Sequence, residues 1–169
     1  MNNIILIGMP GSGKSTIGVV LAKVLGYRFL DSDLLIQEKE NRKLSEILSE
    51  DGPDRFNEIE NRINASIEVE KTIIATGGSV VYGEEAMEHL RSIGTVIYLR
   101  LPLEEIEKRL GDLHERGISM KEGQTLKDLY EERTPLYEKY AHLIIDIHKQ
   151  DIRETMILVK EGYERYITK

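Results

Sequence analysis

The sequence predicts an α/β fold in which a five-stranded parallel sheet is flanked by helices. Three observations lead to this prediction: a glycine-rich loop follows the first apolar run, short apolar runs alternate with longer helical patterns, and the chain has 169 residues, a usual size for one domain. Short strands buried between helices are most economically arranged in one parallel, doubly wound sheet. We therefore expect residues 1–169 to form a single domain.

The predicted elements follow the chain in order. Strands are expected where short runs of β-forming residues are bounded by glycine or polar residues, at residues 3–7, 28–30, 72–75, 95–99 and 142–147. Helices are expected at residues 15–25, 33–40, 43–50, 54–70, 84–93, 103–110, 125–140 and 152–166. The segment 111–123 has glycines and scattered charge but no apolar period, so it is the best candidate for a mobile lid.

The first loop carries the most specific motif. The stretch Gly8-Met9-Pro10-Gly11-Ser12-Gly13-Lys14-Ser15 fits G-x-x-x-x-G-K-[ST] between a predicted strand and a predicted helix, which predicts a phosphate-binding loop, or P-loop. Its glycines let backbone N–H groups point at phosphate oxygens, and the positive end of the helix adds to the attraction. We expect Lys14 to bridge the β- and γ-phosphates of ATP and Ser15 to bind Mg²⁺. Neighbouring residues complete this nucleotide site: Gly11, Ser12, Gly13 and Thr16.

Charge and composition limit the possible partners. A net charge of −7 and a pI near 5.2 argue against nucleic acid or an anionic membrane, because binding either requires a basic face. The absence of cysteine excludes disulfides and thiolate metal sites, and a reducing cytoplasm is the natural compartment. The first apolar run is too short for a signal peptide or a membrane span. We expect a cytoplasmic monomer with a small-molecule substrate.

Polar residues follow the second and third predicted strands, at the edge of the sheet where such folds bind ligands. Asp31-Ser32-Asp33 follows the second strand, and its two carboxylates suit a Mg²⁺ ligand and a group that orients or deprotonates an attacking hydroxyl. Capping of the next helix is the alternative role. Thr76-Gly77-Gly78-Ser79 follows the third strand, where two glycines let a ligand approach the backbone; a plain turn is the alternative.

Three arginines are candidates for contact with anions: Arg109, Arg116 and Arg133. Most arginines in an acidic protein are solvated or paired at the surface. Arg116 is the exception, because closure of the predicted lid would place its guanidinium on the transferring phosphoryl group. The carboxylates Glu58 and Glu60 are interpreted as part of a solvated helix face.

Taken together, these residues resemble shikimate kinases. The P-loop, Asp31-Ser32-Asp33, Thr76-Gly77-Gly78, the lid arginine and Arg133-x-Pro135-Leu136-Tyr137 occur in the order and spacing of that family, over nearly the whole chain. The resemblance implies a P-loop NTPase fold like that of nucleoside monophosphate kinases. It also implies transfer of the ATP γ-phosphate to the 3-hydroxyl of shikimate, a step of aromatic amino acid biosynthesis.

The resemblance also implies roles for individual residues. By motif position, Asp33 holds substrate hydroxyls and assists deprotonation, and Asp31 helps to organise Mg²⁺. Arg116 is the lid arginine, Arg109 lies near the adenine, and Arg133 binds the substrate carboxylate. The other residues implied on the substrate side follow from the same match: Asn57, Gly77, Gly78 and Ser79.

Two positions depart from the family, both on the substrate side. The family carries Phe-Arg-x-x-Glu where this chain reads Phe56-Asn57-Glu58-Ile59-Glu60, and its third glycine is Ser79 here. Arg55 is not expected to substitute for the missing arginine, because two residues along a helix is about 200° of rotation, which points its side chain to the other face. Losing one charged hydrogen bond costs about 1.5–3 kcal/mol, or about 10- to 150-fold in affinity.

The departures leave alternatives open. One is a related kinase that phosphorylates another small polyol, amino alcohol or hydroxy acid. Another is a nucleotide-binding regulator without turnover, which the retention of Asp33 and Arg116 disfavours, because a pure binder needs neither residue.

Overall fold

A computed structural model describes residues 2–110 and 117–169 of the chain. Its strands are β1 (Asn3–Ile7), β2 (Arg28–Asp31), β3 (Thr72–Ala75), β4 (Gly94–Arg100) and β5 (Leu143–Asp146). They form a sheet in the order β2-β3-β1-β4-β5, and every neighbouring pair is parallel. The predicted five-stranded parallel sheet is confirmed, with strand ends that differ from the prediction by at most one residue.

The helices account for the connections between the strands. They are α1 (Lys14–Leu25), α2 (Ser32–Glu40), α3 (Leu44–Ala65), α4 (Glu84–Ile93), α5 (Leu103–Arg109), α6 (Leu126–Tyr140) and α7 (Ile152–Ile167), with a short 3-10 turn at Val80–Tyr82. The prediction placed a helix over residues 54–70, whereas α3 ends at Ala65. The reason is local: the backbone N–H and the hydroxyl of Ser66 both donate to the carbonyl of Ile63, which closes the last turn.

Helix α3 joins two segments that the sequence predicts as separate helices. The break expected at Asp51-Gly52-Pro53 is present as a kink, because Gly52 has the non-helical angles φ 82° and ψ 167°. Pro53 starts the second segment, where its missing N–H costs nothing. A small apolar cluster holds both segments against α2, and its members are Ile36, Ile47, Phe56, Ile59 and Ile63.

The main core lies on both faces of the central strands. Every residue of β1 and of β3 is buried, as expected for parallel strands covered by helices on both sides. The carboxyl ends of β1, β2 and β3 therefore meet at one edge of the sheet, and the P-loop, Asp31 and Thr76 extend from that edge. No helix in the described ranges is long and apolar enough to cross a lipid bilayer.

The segment predicted to be a mobile lid, residues 111–123, lies partly outside the described residues. Residues 111–116 are not described, and they include Arg116. Residues 117–123 are described, and within them Gly117 and Gly123 have positive φ angles of 64° and 77°. Closure of a lid over the site stays a prediction.

Candidate active site

The P-loop connects β1 to α1 and curls around the side chain of Lys14. Gly11 and Gly13 have φ angles of 79° and 92°, which residues with a Cβ atom rarely adopt. Nζ of Lys14 donates to the carbonyl oxygens of Gly8 and Met9, both at 2.8 Å, and to Oγ of Ser12 at 3.3 Å. These contacts hold the ammonium group at the mouth of the loop, where the motif places phosphates.

Burial changes the electrostatics of Lys14. Desolvation lowers its pKa from 10.5 to about 8, although the nearby carboxylate of Asp33 favours the charged form. The ammonium group therefore remains mainly protonated at neutral pH, and a cation so poorly solvated is strongly attracted to phosphate oxygens.

Asp31 links β2 to the P-loop and to α2. Its Oδ2 accepts a hydrogen bond from Oγ of Ser15 at 2.9 Å, and its Oδ1 accepts one from the backbone N–H of Asp33 at 2.9 Å. The capping role of Asp31 is present, and the same carboxylate also lies beside the P-loop hydroxyl, whereas a role in binding Mg²⁺ stays a prediction. A carboxylate and a hydroxyl oxygen at this spacing are hard ligands that suit Mg²⁺.

The described residues contain no group of three His, Asp or Glu side chains that could hold a metal ion by themselves. Mg²⁺ usually takes one or two protein ligands and completes its shell with water and substrate phosphates. Ser15 and Asp31 therefore fit a metal that arrives with a nucleotide.

A cleft of about 410 Å³ extends from the P-loop to the glycine turn after β3 and to Arg133 of α6. It brings together side chains from α1, α2, α3 and α6, and the predicted site residues along it are Gly11, Gly13, Lys14, Ser15, Thr16, Asp33, Gly77, Gly78, Ser79 and Arg133. Burial and the neighbouring carboxylate of Asp31 raise the pKa of Asp33 to about 6. Asp33 is thus ionised at neutral pH and able to accept a proton.

Arg133 lies in the floor of this cleft with only 1% of its surface exposed. Its Nη2 donates to the carbonyl of Ser119 at 2.5 Å, and its Nε donates to the hydroxyl of Tyr82 at 3.2 Å. One turn further along α6, the hydroxyl of Tyr137 donates to the carbonyl of Gly78 at 2.6 Å. A Cβ atom on Gly78 would lie 3.1 Å from Nη1 of Arg133, so the guanidinium group borders the glycine turn after β3.

Glu60 belongs to the cleft, and its interpretation as part of a solvated face is wrong. Its side chain is 1% exposed, and Oε1 accepts a hydrogen bond from Oγ of Ser79 at 2.6 Å. Burial and then the charge of Asp33 raise its pKa to about 8. A sequence signal exists: Glu60 comes four residues after Phe56 and three before Ile63, which places it on the apolar face of α3. Glu58 is exposed as expected.

Comparison with known proteins identifies the family. A family-level sequence profile described as shikimate kinase matches residues 10–162. The chain belongs to the shikimate kinase family. A shikimate kinase of Clostridium botulinum (strain Loch Maree / Type A3) is 36% identical to it, with 98% of each chain covered. The resemblance drawn from the motifs is confirmed.

Solved structures of the family have the same fold. The shikimate kinase from Acinetobacter baumannii in complex with shikimate superposes with a TM-score of 0.86 at 28% identity, covering 98% of this chain and 94% of that one. The shikimate kinase from Aquifex aeolicus superposes with a TM-score of 0.80 at 29% identity, covering 96% of each chain. The predicted P-loop kinase fold is confirmed.

Asn57, where the family motif carries an arginine, lies on α3 and is not among the described residues that line the main cleft. Its Oδ1 accepts a hydrogen bond from Oγ of Ser119 at 3.0 Å, and it lines a side cavity of about 280 Å³ next to the main cleft. Arg55 forms an exposed ion pair with Glu58, so it does not substitute for the missing arginine. Sequence reasoning missed Ser119, whose hydroxyl contacts Asn57 and whose carbonyl contacts Arg133.

Arg109 borders a second cleft, of about 620 Å³, on the far side of the P-loop. This cleft is lined by Ser12 and Gly13 of the loop, by Thr16 of α1 and by the start of α7. Arg109 also pairs with Glu105 one turn earlier on α5, at 3.5 Å between Nε and Oε1. Its predicted position near the nucleotide thus has room for a base, whereas Arg116 lies outside the described residues.

Proposed function

We propose that this chain catalyses the reaction of the shikimate kinase family, the transfer of the ATP γ-phosphate to the 3-hydroxyl of shikimate, in the cleft between the P-loop and α3. The observation that carries the proposal is the convergence of Lys14, Asp33 and Arg133 on one cleft. A phosphate-binding cation, a proton acceptor and a carboxylate-binding cation are the groups that phosphorylation of a hydroxy acid requires.

The nucleotide would lie across the P-loop. Backbone N–H groups of Gly11, Ser12 and Gly13 and the N-terminus of α1 bind its phosphates, with Thr16 at the first turn of the helix. The cleft beside Arg109 is large enough for a purine, so we assign the adenine to it. Lys14 offsets charge on the β- and γ-phosphates.

Ser15 and Asp31 would hold the metal ion. The supporting observation is their 2.9 Å contact beside the loop. Mg²⁺, when bound, neutralises negative charge on the phosphates of the nucleotide. Asp31 is also fixed by the N–H of Asp33, so the metal ligand and the proton acceptor are held in one local arrangement.

The acceptor would lie between Asp33 and Arg133. Asp33 accepts the proton of the attacking hydroxyl as the new O–P bond forms and ADP departs with the electrons of the broken bond. Arg133 pairs with the acceptor carboxylate, since its guanidinium is already oriented by Ser119 and Tyr82. Gly77, Gly78 and Ser79 border the acceptor, and Asn57 contacts its carboxylate end through neutral hydrogen bonding only. We assign to Arg116 the contact that the predicted lid would make with the transferring phosphoryl group.

The test is a measurement of acceptor preference with the purified full chain. ADP release is coupled to an optical assay in the presence of ATP and Mg²⁺, with shikimate and with a panel of neutral polyols, amino alcohols and other hydroxy acids. We expect the highest kcat/KM for shikimate and a phosphate ester at its 3-position by ³¹P NMR. A higher kcat/KM for another acceptor, or no acceptor-dependent ADP release, would contradict the proposal.

A further inference from the structure

Ser119 joins two helices of the acceptor side that come from distant parts of the chain. Its hydroxyl donates to Oδ1 of Asn57 on α3 at 3.0 Å, and its carbonyl accepts from Nη2 of Arg133 on α6 at 2.5 Å. Ser119 is 5% exposed and lines the main cleft, although it belongs to neither helix. A single buried residue thus links α3 to the cation that the proposed function assigns to the acceptor carboxylate.

The contacts of Arg133 leave one side of its guanidinium group for a ligand. Nε donates to the hydroxyl of Tyr82 at 3.2 Å, and the ring centroid of Tyr82 lies 5.2 Å from Cζ. Nη2 donates to Ser119, whereas Nη1 borders Gly78 in the wall of the cleft. Because the donors of a guanidinium group lie in one rigid plane, fixing Nε and Nη2 also fixes the direction of Nη1.

The backbone that carries the Ser119 carbonyl is irregular. Residues 118–121 lie in neither a helix nor a strand, so the hydrogen bonds of regular secondary structure do not fix that carbonyl. The next turn along the chain is closed by the N–H of Gln124, which donates to the carbonyl of Lys121 at 3.1 Å. At Ser119 itself, the contact with Asn57 ties the segment to α3. This hydrogen bond restricts the conformations open to the segment and with them the position of the carbonyl.

We propose that Ser119 is a positioning residue for acceptor binding, because its hydrogen bond to Asn57 holds its carbonyl where it orients Arg133 towards the acceptor carboxylate. The inference rests on the proposed function for the identity of the acceptor. It also gives the departure from the family motif a role. Where the family has an arginine, this chain has an amide that preorganises Arg133, and preorganisation lowers the entropy cost of binding.

The first test removes the hydroxyl of Ser119 and keeps its carbonyl. We expect Ser119→Ala to raise the KM for shikimate about three- to tenfold, the scale of one hydrogen bond, with kcat and the KM for ATP within about twofold of the wild type. Ser119→Thr keeps a hydroxyl and should restore the wild-type KM. Ser49→Ala, the same exchange at an exposed position of α3, is the matched control. An unchanged KM for shikimate in Ser119→Ala would overturn the inference.

A shikimate analogue whose carboxylate is replaced by a hydroxymethyl group separates positioning from a general loss of structure. The orientation of Arg133 matters only for an acceptor that carries the carboxylate. The wild type and Ser119→Ala should therefore have equal KM values for this analogue. A purely structural role would raise the KM for both acceptors alike, and that result would refute positioning.

A double-mutant cycle tests the link through α3. Asn57→Ala removes the oxygen that accepts from Ser119 and should raise the KM for shikimate by the same factor as Ser119→Ala. The combined variant should be no worse than either single variant, because both remove the same hydrogen bond. Multiplied losses would mean that the two residues act independently, against the proposal. If Ser119→Ala does not fold by circular dichroism, Asn57→Ala is compared on shikimate and on the analogue, with the same criterion.

The order of the Arg133 side chain provides a test that does not depend on the acceptor. In the protein without ligands, the ¹H–¹⁵N heteronuclear NOE of Nε–Hε should be close to backbone values in the wild type and clearly lower in Ser119→Ala. The signal is assigned by its loss in Arg133→Lys. Equal NOE values in the two proteins would rule out the positioning role. If the wild type prefers another acceptor to shikimate, the proposed function fails, whereas the NOE comparison still decides the role of Ser119.

Discussion

The nucleotide side and the acceptor side of the cleft are built in different ways. The phosphate-binding part of the nucleotide side comes from one continuous segment, residues 8–16, and its lysine makes hydrogen bonds within that same segment. The acceptor side is assembled from residues far apart in the chain: Asn57, Glu60, Ser79, Ser119 and Arg133. Phosphate recognition here depends mainly on backbone geometry, whereas acceptor recognition depends on tertiary packing of side chains.

This difference explains where the chain departs from its family. Backbone N–H groups bind phosphate whatever the side chains are, provided that the glycines allow the turn. The acceptor side has no such backbone template, so single substitutions change its chemistry. Asn57 and Ser79 replace an arginine and a glycine of the family pattern, and each now bonds to a neighbouring polar side chain. The acceptor side is therefore where specificity can vary while the transfer chemistry is kept.

Replacing Lys14 should have the largest effect and tests the nucleotide side. We expect Lys14→Ala to lower kcat by about 10³-fold or more, because a preorganised charge on the transferring phosphates is lost. Lys23→Ala, on the exposed side of α1, is the control and should keep full activity. Both are measured by ADP release, with thermal unfolding as a check on folding. Near-normal turnover of Lys14→Ala would contradict the kinase assignment.

Replacing Asp33 tests the boundary between the two sides. We expect Asp33→Asn to lower kcat by about 10²-fold, the usual scale for loss of a proton acceptor, with little change in ATP affinity. Asp31→Asn should instead raise the Mg²⁺ concentration needed for half-maximal activity, because its oxygen lies beside Ser15. Asp54→Asn, an exposed position on α3, is the control. Equal loss of nucleotide affinity and turnover in Asp33→Asn would make it a metal ligand.

The same difference explains how much the sequence could predict. The fold and the phosphate site are encoded by local patterns, since alternating strands and helices and an eight-residue motif each specify their own geometry. The burial of Glu60 and the bridge through Ser119 are not encoded in this way. They depend on how α3 packs against the turn after β3 and against the segment before α6, and a charged residue on a helix is normally solvated. Glu60 follows an apolar face, but Ser119 has no comparable signal.

Restoring the family arginine tests the acceptor side. We expect Asn57→Arg to lower the KM for shikimate about tenfold, the lower end of the scale for a hydrogen bond to a charged group. The decrease in KM should stay at the lower end of that scale, because Asn57→Arg also removes the contact between Asn57 and Ser119. Arg55→Asn is the control, since Arg55 faces Glu58 at the surface and should not affect KM.

The sign of this effect is informative. If the cleft is adapted to an acceptor without a carboxylate at that point, the new arginine is an unpaired charge and depresses activity on the true acceptor. Strong wild-type activity on shikimate that Asn57→Arg fails to improve would show that neutral contacts are sufficient there. The comparison is made on shikimate and on neutral polyols with both proteins.

The smallest expected effect concerns stability and depends on the raised pKa of Glu60. The folded protein holds this proton up to about pH 8, whereas an unfolded chain releases it near pH 4.5. Between these values the folded state binds more protons than the unfolded state, so this group's contribution to stability falls as the pH rises.

Glu60→Gln removes that dependence. The Tm of Glu60→Gln relative to the wild type should therefore increase from pH 5 to pH 8.5, by about 2–4 °C for each 1 kcal/mol. Glu58→Gln provides the baseline, because Glu58 is exposed and makes the same exchange of carboxylate for amide outside the cleft, so its Tm difference should stay level. If the Tm difference between Glu60→Gln and the wild type also stays level from pH 5 to pH 8.5, Glu60 is charged in the folded protein. Burial would then not make the acceptor side hold a proton at neutral pH.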